Sequence, residues 1–237
     1  MYRFAAAIFL LVLFSSCRNN NKDAEPGNTK DVDPEAIFFD YQVTGKEGSD
    51  LITVLIQFRY GGEFGGTLKL EEPGNVQLDG EIIKGDSTKA TGAFYELQKP
   101  VEEFTGSHTI VFTSNDKKKY REEFSFQPLQ LLTEIPAIVP GDSLDLKFGG
   151  LEPGDIVRVV LTDTVFGSEG ITRLDTIRDE SRIVISREEL ESLTNGPIQI
   201  ELIKESEAPV QNGTLEGGRL YISYGLKREF TLAKKEE

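Results

Sequence analysis

The chain has 237 residues, and its 26 Lys and Arg against 40 Asp and Glu give a formal net charge of −14 at pH 7. A field of this sign repels nucleic acid and anionic lipid headgroups, so neither is an expected partner. One histidine and one cysteine are too few for a zinc site built from these residue types. No Asp-x-Asp-x-Asp run for calcium occurs either, and we expect no metal and no cofactor.

The first seventeen residues are ordered as a secretory signal. Arg3 supplies a basic start, residues 4–14 form an unbroken apolar run of eleven, and Ser15 and Ser16 precede Cys17. The apolar run is too short to span a bilayer, which needs roughly 20 residues. Cys17 is the only cysteine, so it cannot form an internal disulfide.

The tetrapeptide Phe14-Ser15-Ser16-Cys17 resembles the lipobox of bacterial lipoproteins, although that family usually has an aliphatic residue in place of Phe14. The resemblance implies that residues 1–16 are removed and that Cys17 carries diacylglycerol. It also implies membrane attachment through acyl chains and, because Arg18 rather than Asp follows the cysteine, a Gram-negative outer membrane. A plain signal peptide with an incidental cysteine is the alternative.

Residues 17–34 are predicted to be a disordered tether. Val32 is the one sizeable aliphatic residue in this polar stretch, which therefore has too little apolar surface to order itself. A flexible coil of this length has a reach on the order of 20–25 Å. We expect it to hold the folded part away from the bilayer.

From Ala36 onward the hydrophobic period is two, which predicts strands with one buried face. The first half contains such runs from Ile37 to Phe126, separated by loops that include residues 61–66 and 85–91. The pattern restarts after Pro128 and continues to Leu232, and its last two predicted strands are residues 220–224 and 230–232. One short helix is predicted between the sheets of the second half, with a capping box of Ser186 and Glu189.

Two runs of about seven short strands predict an all-β protein with two tandem β-sandwiches, residues 35–128 and 129–237. Residues 106–126 resemble the last hairpin of bacterial immunoglobulin-like domains, and residues 193–200 resemble the same strand, with His108 and Ile198 replacing the usual corner tyrosine. The resemblance implies an immunoglobulin-like fold for both halves. A single long sandwich or a barrel is the alternative.

No residues are predicted to be catalytic. His108 is interpreted as a hydrogen-bonded strand corner, since no serine stands in a nucleophile elbow. The glycine-rich residues 61–66 lack the Lys-Ser/Thr of a phosphate-binding loop and are interpreted as a mobile hairpin loop, on which Phe64 is a candidate contact residue. The adjacent acidic pairs, such as Glu122-Glu123, are interpreted as solvated, because neighbours in a strand face opposite ways.

These observations favour a membrane-anchored lipoprotein of the cell envelope that acts as a non-enzymatic binding or scaffolding module. Its partner is an unidentified protein or a glycan. One alternative is glycan capture for an outer-membrane uptake system, with tyrosines replacing the tryptophan that the chain lacks. The other is a hydrolase that uses dispersed carboxylates, for which the junction at residues 127–132 is the expected place for a cleft.

Overall fold

The computed structural model describes residues 26–178 and 180–234, so the signal segment and Cys17 lie outside the described residues. The described chain is almost entirely β. Its helices are three 3-10 turns, Thr29–Asp31, Pro34–Ala36 and Val101–Glu103, and one α-helix, α1, Arg187–Ser192. The strands are β1 Gly27–Asn28, β2 Ile37–Lys46, β3 Leu51–Tyr60, β4 Gly66–Lys69, β5 Asn75–Leu78, β6 Glu81–Ile82, β7 Gly85–Thr88, β8 Gly92–Pro100, β9 Gly106–Thr113, β10 Lys119–Phe126, β11 Gln130–Leu131, β12 Ile138–Val139, β13 Leu144–Gly149, β14 Ile156–Asp163, β15 Ile171–Thr176, β16 Arg182–Ile185, β17 Gly196–Pro209 and β18 Gly218–Leu232.

The described residues form three sheets. The long sheet has eleven strands and the order β1-β4-β3-β2-β18-β17-β14-β15, with β8 pairing β3, β7 pairing β8 and β12 pairing β18. A four-stranded sheet, β10-β9-β5-β6, belongs to the first half of the chain. A three-stranded sheet, β11-β13-β16, belongs to the second half. The long sheet is therefore common to both halves.

Each half forms a sandwich with its own part of the long sheet. In the first half, Phe39 of β2 and Phe58 of β3 pack against Phe112 of β9, with ring centroids 5.2 and 4.6 Å from that of Phe112. In the second half, the buried positions alternate along β13, β14 and β17, as expected for strands with one face in a core. The all-β class and the sandwich architecture are confirmed.

The two sandwiches are joined edge to edge. Strand β18 pairs in parallel with β2 over eight residues, from Gly218 opposite Phe39 to Gly225 opposite Lys46. This pairing places the last strand of the second half next to the first long strand of the first half. The domain boundary near residue 128 stays a prediction. The backbone hydrogen bonds between β2 and β18 connect the two halves.

The structure corrects the extent of the tether. Residues 26–34 lie on the fold, because β1 pairs with β4 and Thr29 is 2% exposed. The Thr29 hydroxyl accepts a hydrogen bond from the Glu71 amide at 3.4 Å, and Val32 packs against the core. Composition alone predicts disorder for residues 26–34, because they are mostly polar. The structure orders them through β4 and Glu71, which lie far along the sequence and which local composition does not reveal.

Most predicted elements are present. Residues 106–126 form the β9–β10 hairpin. Ser186 caps α1 with the predicted capping box, and the helix connects the three-stranded sheet to the long sheet. Residues 85–88, predicted as loop, form the exposed edge strand β7. Residues 220–224 and 230–232, predicted as separate strands, belong to the single fifteen-residue strand β18. Among residues 26–178 and 180–234, no helix has the length and apolar character to cross a membrane.

Candidate binding surfaces of the long sheet

The outer face of the long sheet carries a buried charge cluster centred on Asp40. In β2, Phe39 and Tyr41 face the core, so Asp40 points to the opposite side of the sheet. The Asp40 side chain has no exposed surface, and its carboxylate lies 3.3 Å from Arg59 Nε and 3.0 Å from Arg219 Nε. These arginines lie on β3 and β18, the two strands that flank β2. Two guanidinium groups therefore compensate one buried carboxylate.

The same arginines fix the loop of residues 61–66, which we call the Phe64 loop. Arg59 Nη1 donates to the Gly65 carbonyl at 3.3 Å, and Arg219 Nη1 forms an ion pair with Glu63. The hydrogen bond to Asp40 raises the pKa of Arg219, so its charge is retained. The sequence predicts a mobile loop, whereas in the structure side-chain bonds join this loop to the sheet.

A second loop, residues 210–217, lies against the Phe64 loop. A Cβ built on Gly62 would lie 3.3 Å from Glu216 Oε1, so the two loops touch. The Leu215 amide donates to the Glu35 carboxylate at 3.1 Å, and the Glu216 amide donates to the Glu35 carbonyl at 3.0 Å. This loop is therefore also fixed.

Each of these loops presents one large apolar side chain to solvent. Phe64 is 93% exposed and Leu215 is 91% exposed. We call the two side chains the apolar tip. Phe64 is exposed to solvent, as a contact residue must be, and its role in binding stays a prediction. Leu215 is not among the residues predicted from the sequence, although Gly213, Gly217 and Gly218 flank it much as glycines flank Phe64.

A groove opens on the outer face where β2 and β18 meet. We call it the seam groove; it has a volume of about 590 Å³, within the usual range for ligand sites. One wall is the turn after β2, and the other comes from β14, β17 and β18. The charged and aromatic lining residues are Lys46, Glu47, Arg158, Glu201, Tyr221 and Lys227.

Hydrogen bonds and ion pairs with neighbouring side chains hold the polar groups of the seam groove in place. Arg158 Nη2 donates to Glu205 at 2.9 Å, and the Tyr221 hydroxyl approaches the same carboxylate at 3.5 Å. Glu47 pairs with Arg228, and the hydrogen bond from Arg228 lowers the pKa of Glu47. Arg158 Nε is buried without a hydrogen-bond partner among the described residues. The groove therefore contains preorganised donors and acceptors of both charge signs.

Gly225 leaves bare backbone at the floor of the groove. A Cβ built on Gly225 would lie 3.8 Å from Ile203 Cγ1 and 4.0 Å from the Cβ of Lys46, which are ordinary van der Waals distances. The backbone at Gly225 does not have a positive φ. A side chain is thus sterically allowed at this position, and it would occupy space that the glycine leaves open.

His108 is confirmed as a hydrogen-bonded corner residue. It is 8% exposed, its Nδ1 lies 2.7 Å from Asp79, and its Nε2 lies 2.7 Å from the Phe104 carbonyl. The ring stacks on that of Phe104 with centroids 3.9 Å apart. Both nitrogens have structural partners.

The acidic pair in β10 divides as predicted, with one member on each face of the strand. Glu122 points inward, is 5% exposed and accepts the Gln211 amide at 2.9 Å, whereas Glu123 pairs with Arg121 on the surface. Glu122 was not expected to be buried. Burial and then the charge of Glu122 raise the pKa of Tyr41. Glu122 thus links the two halves of the chain.

The remaining predicted features have structural roles. A pocket at the junction of the halves includes Gln127 but has a volume of only about 160 Å³, and its Lys204 is paired with Asp155 at 2.8 Å. In the described part of the chain, no group of three or more His, Cys, Asp or Glu side chains is placed to hold a metal ion.

Of the tyrosines considered for glycan stacking, Tyr60 is 52% exposed and Tyr221 is half-buried. The others, Tyr41, Tyr95, Tyr120 and Tyr224, are buried in the core.

No protein-family model and no curated protein matches the chain. Similar solved structures include a bacterial ice-binding adhesin (TM-score 0.28, 10% identity, covering 86% of this chain and 66% of the adhesin). DIP-gamma IG1+IG2 has a TM-score of 0.23 and 13% identity over 80% of this chain and 94% of its own. The mixed-linkage glucan protein SGBP-B of Bacteroides ovatus, in complex with a heptasaccharide, has a TM-score of 0.20 and 10% identity over 95% of this chain and 70% of its own. At these scores and identities the similarities establish neither a shared fold nor a shared function.

Proposed function

We propose that the chain is a non-catalytic binding module of a Gram-negative cell envelope. It is held at the outer membrane by acyl chains on Cys17, and it binds a glycan in the seam groove. The observation that carries the proposal is the groove itself, which both halves of the chain build through the β2–β18 pairing.

The chemistry of the groove favours a neutral ligand rich in hydroxyl groups. Lys46, Lys227 and Arg158 bring positive charge, and Glu47 and Glu201 bring negative charge to the same walls. A strongly charged ligand would meet like charges on one wall or the other. Sugar hydroxyls donate to carboxylates and accept from ammonium or guanidinium groups, so a glycan segment satisfies both kinds of group.

A binding role rather than catalysis is supported by the state of the titratable groups. Both nitrogens of His108 are engaged, and Glu47 and Glu205 are each paired with an arginine. General acid–base catalysis by two carboxyl groups needs one protonated and one free, whereas the hydrogen bond from Arg228 lowers the pKa of Glu47 and so favours its ionised form.

Glycan binding is tested with the chain from Arg18 onward, which lacks the lipidation cysteine, on a glycan array, followed by calorimetry on the glycans that it retains. Gly225→Ala adds a methyl group to the groove floor, and we expect it to weaken binding roughly ten-fold, which corresponds to about 1.4 kcal/mol. Gly66→Ala is the matched control, because a Cβ there has no neighbour within 4 Å. Equal affinities of the two variants would place the ligand elsewhere, and retention of no glycan would contradict the glycan proposal.

The anchor is tested separately. Cys17→Ser removes the thiol that lipidation requires, so we expect the variant to leave the membrane fraction and to lose labelling by a fatty-acid analogue. Persistence of Cys17→Ser in membranes after a carbonate wash would contradict lipid anchoring and leave the groove proposal unaffected.

A further inference from the structure

The chain joins the fold beside the apolar tip. In the parallel pairing of β1 with β4, Gly27 lies opposite Leu68, so Pro26 lies opposite Thr67 and close to the end of the Phe64 loop at Gly66. Both strands run away from that loop, so Pro26, the first described residue, lies at the end of the sheet that carries the tip. Cys17 precedes Pro26 by nine residues, a distance of at most about 30 Å when fully extended.

From this position we propose that the apolar tip, Phe64 and Leu215, rests in the headgroup region of the bilayer that holds the acyl chains of Cys17. The inference builds on the lipid anchor proposed above. The contact gives the module a fixed orientation on the membrane. The outer face of the long sheet does not lie against the bilayer in this orientation, so the seam groove is open to ligand.

A lipid surface fits the tip better than a protein partner does. A stable protein interface buries roughly 800 Å² on each partner, far more than two side chains supply. A weak apolar contact suffices at a membrane, because the anchor holds the tip at high local concentration near the bilayer. Phe64 and Leu215 are nearly fully exposed on loops that side-chain bonds fix in place, so little conformational freedom is lost on contact.

The charges beside the tip specify the kind of lipid. Glu63 precedes Phe64 and is paired with Arg219, whereas Glu216 follows Leu215 and is exposed. Uncompensated carboxylate at this end is repelled by anionic headgroups. The tip therefore suits zwitterionic lipid.

The absence of tryptophan from the sequence permits a direct test. The chain from Cys17 onward, carrying Phe64→Trp, is coupled through its only thiol to maleimide-bearing lipid in phosphatidylcholine vesicles, with and without brominated acyl chains. We expect the brominated vesicles to quench the tryptophan fluorescence, and added phosphatidylglycerol to reduce the quenching. Leu215→Trp is a second reporter in case the first variant misfolds.

Phe166→Trp is the matched control, since Phe166 is fully exposed on the loop after β14, at the far end of the long sheet. We expect no quenching there. Quenching at position 166 equal to that at 64 and 215, or none at either tip position, would overturn the inference. Because the thiol is coupled chemically, these outcomes are independent of whether the cell lipidates Cys17, which the Cys17→Ser experiment decides.

Discussion

Asp40 shows how a single residue positions a surface loop. A buried carboxylate is costly unless it is paired and hydrogen-bonded, and Asp40 meets this condition with Arg59 and Arg219. Both arginines extend beyond Asp40 to the Phe64 loop. The exposed position of Phe64 thus depends on a charge that is entirely buried.

Glu35 has the corresponding role for the loop that carries Leu215. Hydrogen bonds from Lys118 and then from Tyr120 lower the pKa of Glu35 below its ordinary value of 4.5. A group whose pKa is lower in the folded state stabilises that state above its unfolded pKa, and the stabilisation is lost as the pH falls through the folded pKa. The attachment of this loop should therefore weaken below pH 4.5.

We predict that protection of the Leu215 amide from hydrogen exchange falls as the pH is lowered from about 6 to about 3, after correction for intrinsic rates. Glu35→Gln should show low protection throughout. The Val210 amide, which donates to the Gly218 carbonyl at 3.0 Å, serves as the reference because no carboxylate is involved. Parallel behaviour of Leu215 and Val210 would assign the change to the whole loop rather than to Glu35.

Sequence reasoning at this scale succeeds only where the signal is local. The glycines around Phe64 indicate an exposed loop, and His108 stands at the expected corner. One of the two partners of Asp40, Arg219, is 179 residues away. No periodicity reveals such a pairing, because it depends on which strands become neighbours.

Among the elements, the turn after β13 is fixed by a close backbone contact. Gly150 has φ +77°, and a Cβ built there would lie 2.2 Å from the Pro128 carbonyl oxygen. Pro128 lies in the link between the halves, so the glycine lets the link pass close to the second sandwich. Lys204 Nζ also donates to the Gly150 carbonyl at 2.9 Å.

We predict that Gly150→Ala lowers the free energy of unfolding by roughly 3 kcal/mol, because a steric clash adds to the cost of a positive φ. Gly154→Ala is the control, since Gly154 has φ +97° but no neighbour within 4 Å. It should lose about 1 kcal/mol from backbone strain alone. Urea denaturation measures both, and equal losses would show that the link relaxes to accommodate the methyl group.

The period of two predicts the long strands well, because their core faces are continuous and apolar. Local chemistry also predicts α1, since its capping box lies within four residues. The edge strand β7 is fully exposed and polar, so no pattern distinguishes it from a loop. The sequence predicts two strands in place of β18, because Gly225, Lys227 and Arg228 interrupt the apolar alternation. In the structure the pairing with β17 continues through these residues.

At the scale of the whole molecule, the two halves share a ladder, a ring contact and a buried carboxylate. Phe126 and Tyr224 have ring centroids 6.0 Å apart, and Glu122 of the first half accepts amides of the second. The restart of the strand pattern after Pro128 predicts two sandwiches. The pattern does not predict that β18 pairs with β2, because strands at the edge and in the middle of a sheet show the same alternation of apolar and polar residues.

We predict that fragments 26–128 and 129–237 each unfold cooperatively and bind each other when mixed, because separation exposes eight backbone positions on both β2 and β18. Fragment 35–128 should melt at a lower temperature than fragment 26–128, because it lacks β1 and the buried Thr29. Size-exclusion chromatography and thermal unfolding measure these properties. Fragments that remain apart, or equal melting temperatures, would contradict the corresponding expectation.

The parallel β2–β18 pairing also sets an order of events during biosynthesis. Strand β2 ends at Lys46, and its partner begins at Gly218, 172 residues later. At synthesis rates of about 5–20 residues per second, that interval is on the order of 10–30 s. Throughout it, one edge of β2 has no partner and resembles the exposed edges at which nascent chains aggregate. The β2–β18 ladder, and with it the seam groove, can therefore form only after the last long strand has been made.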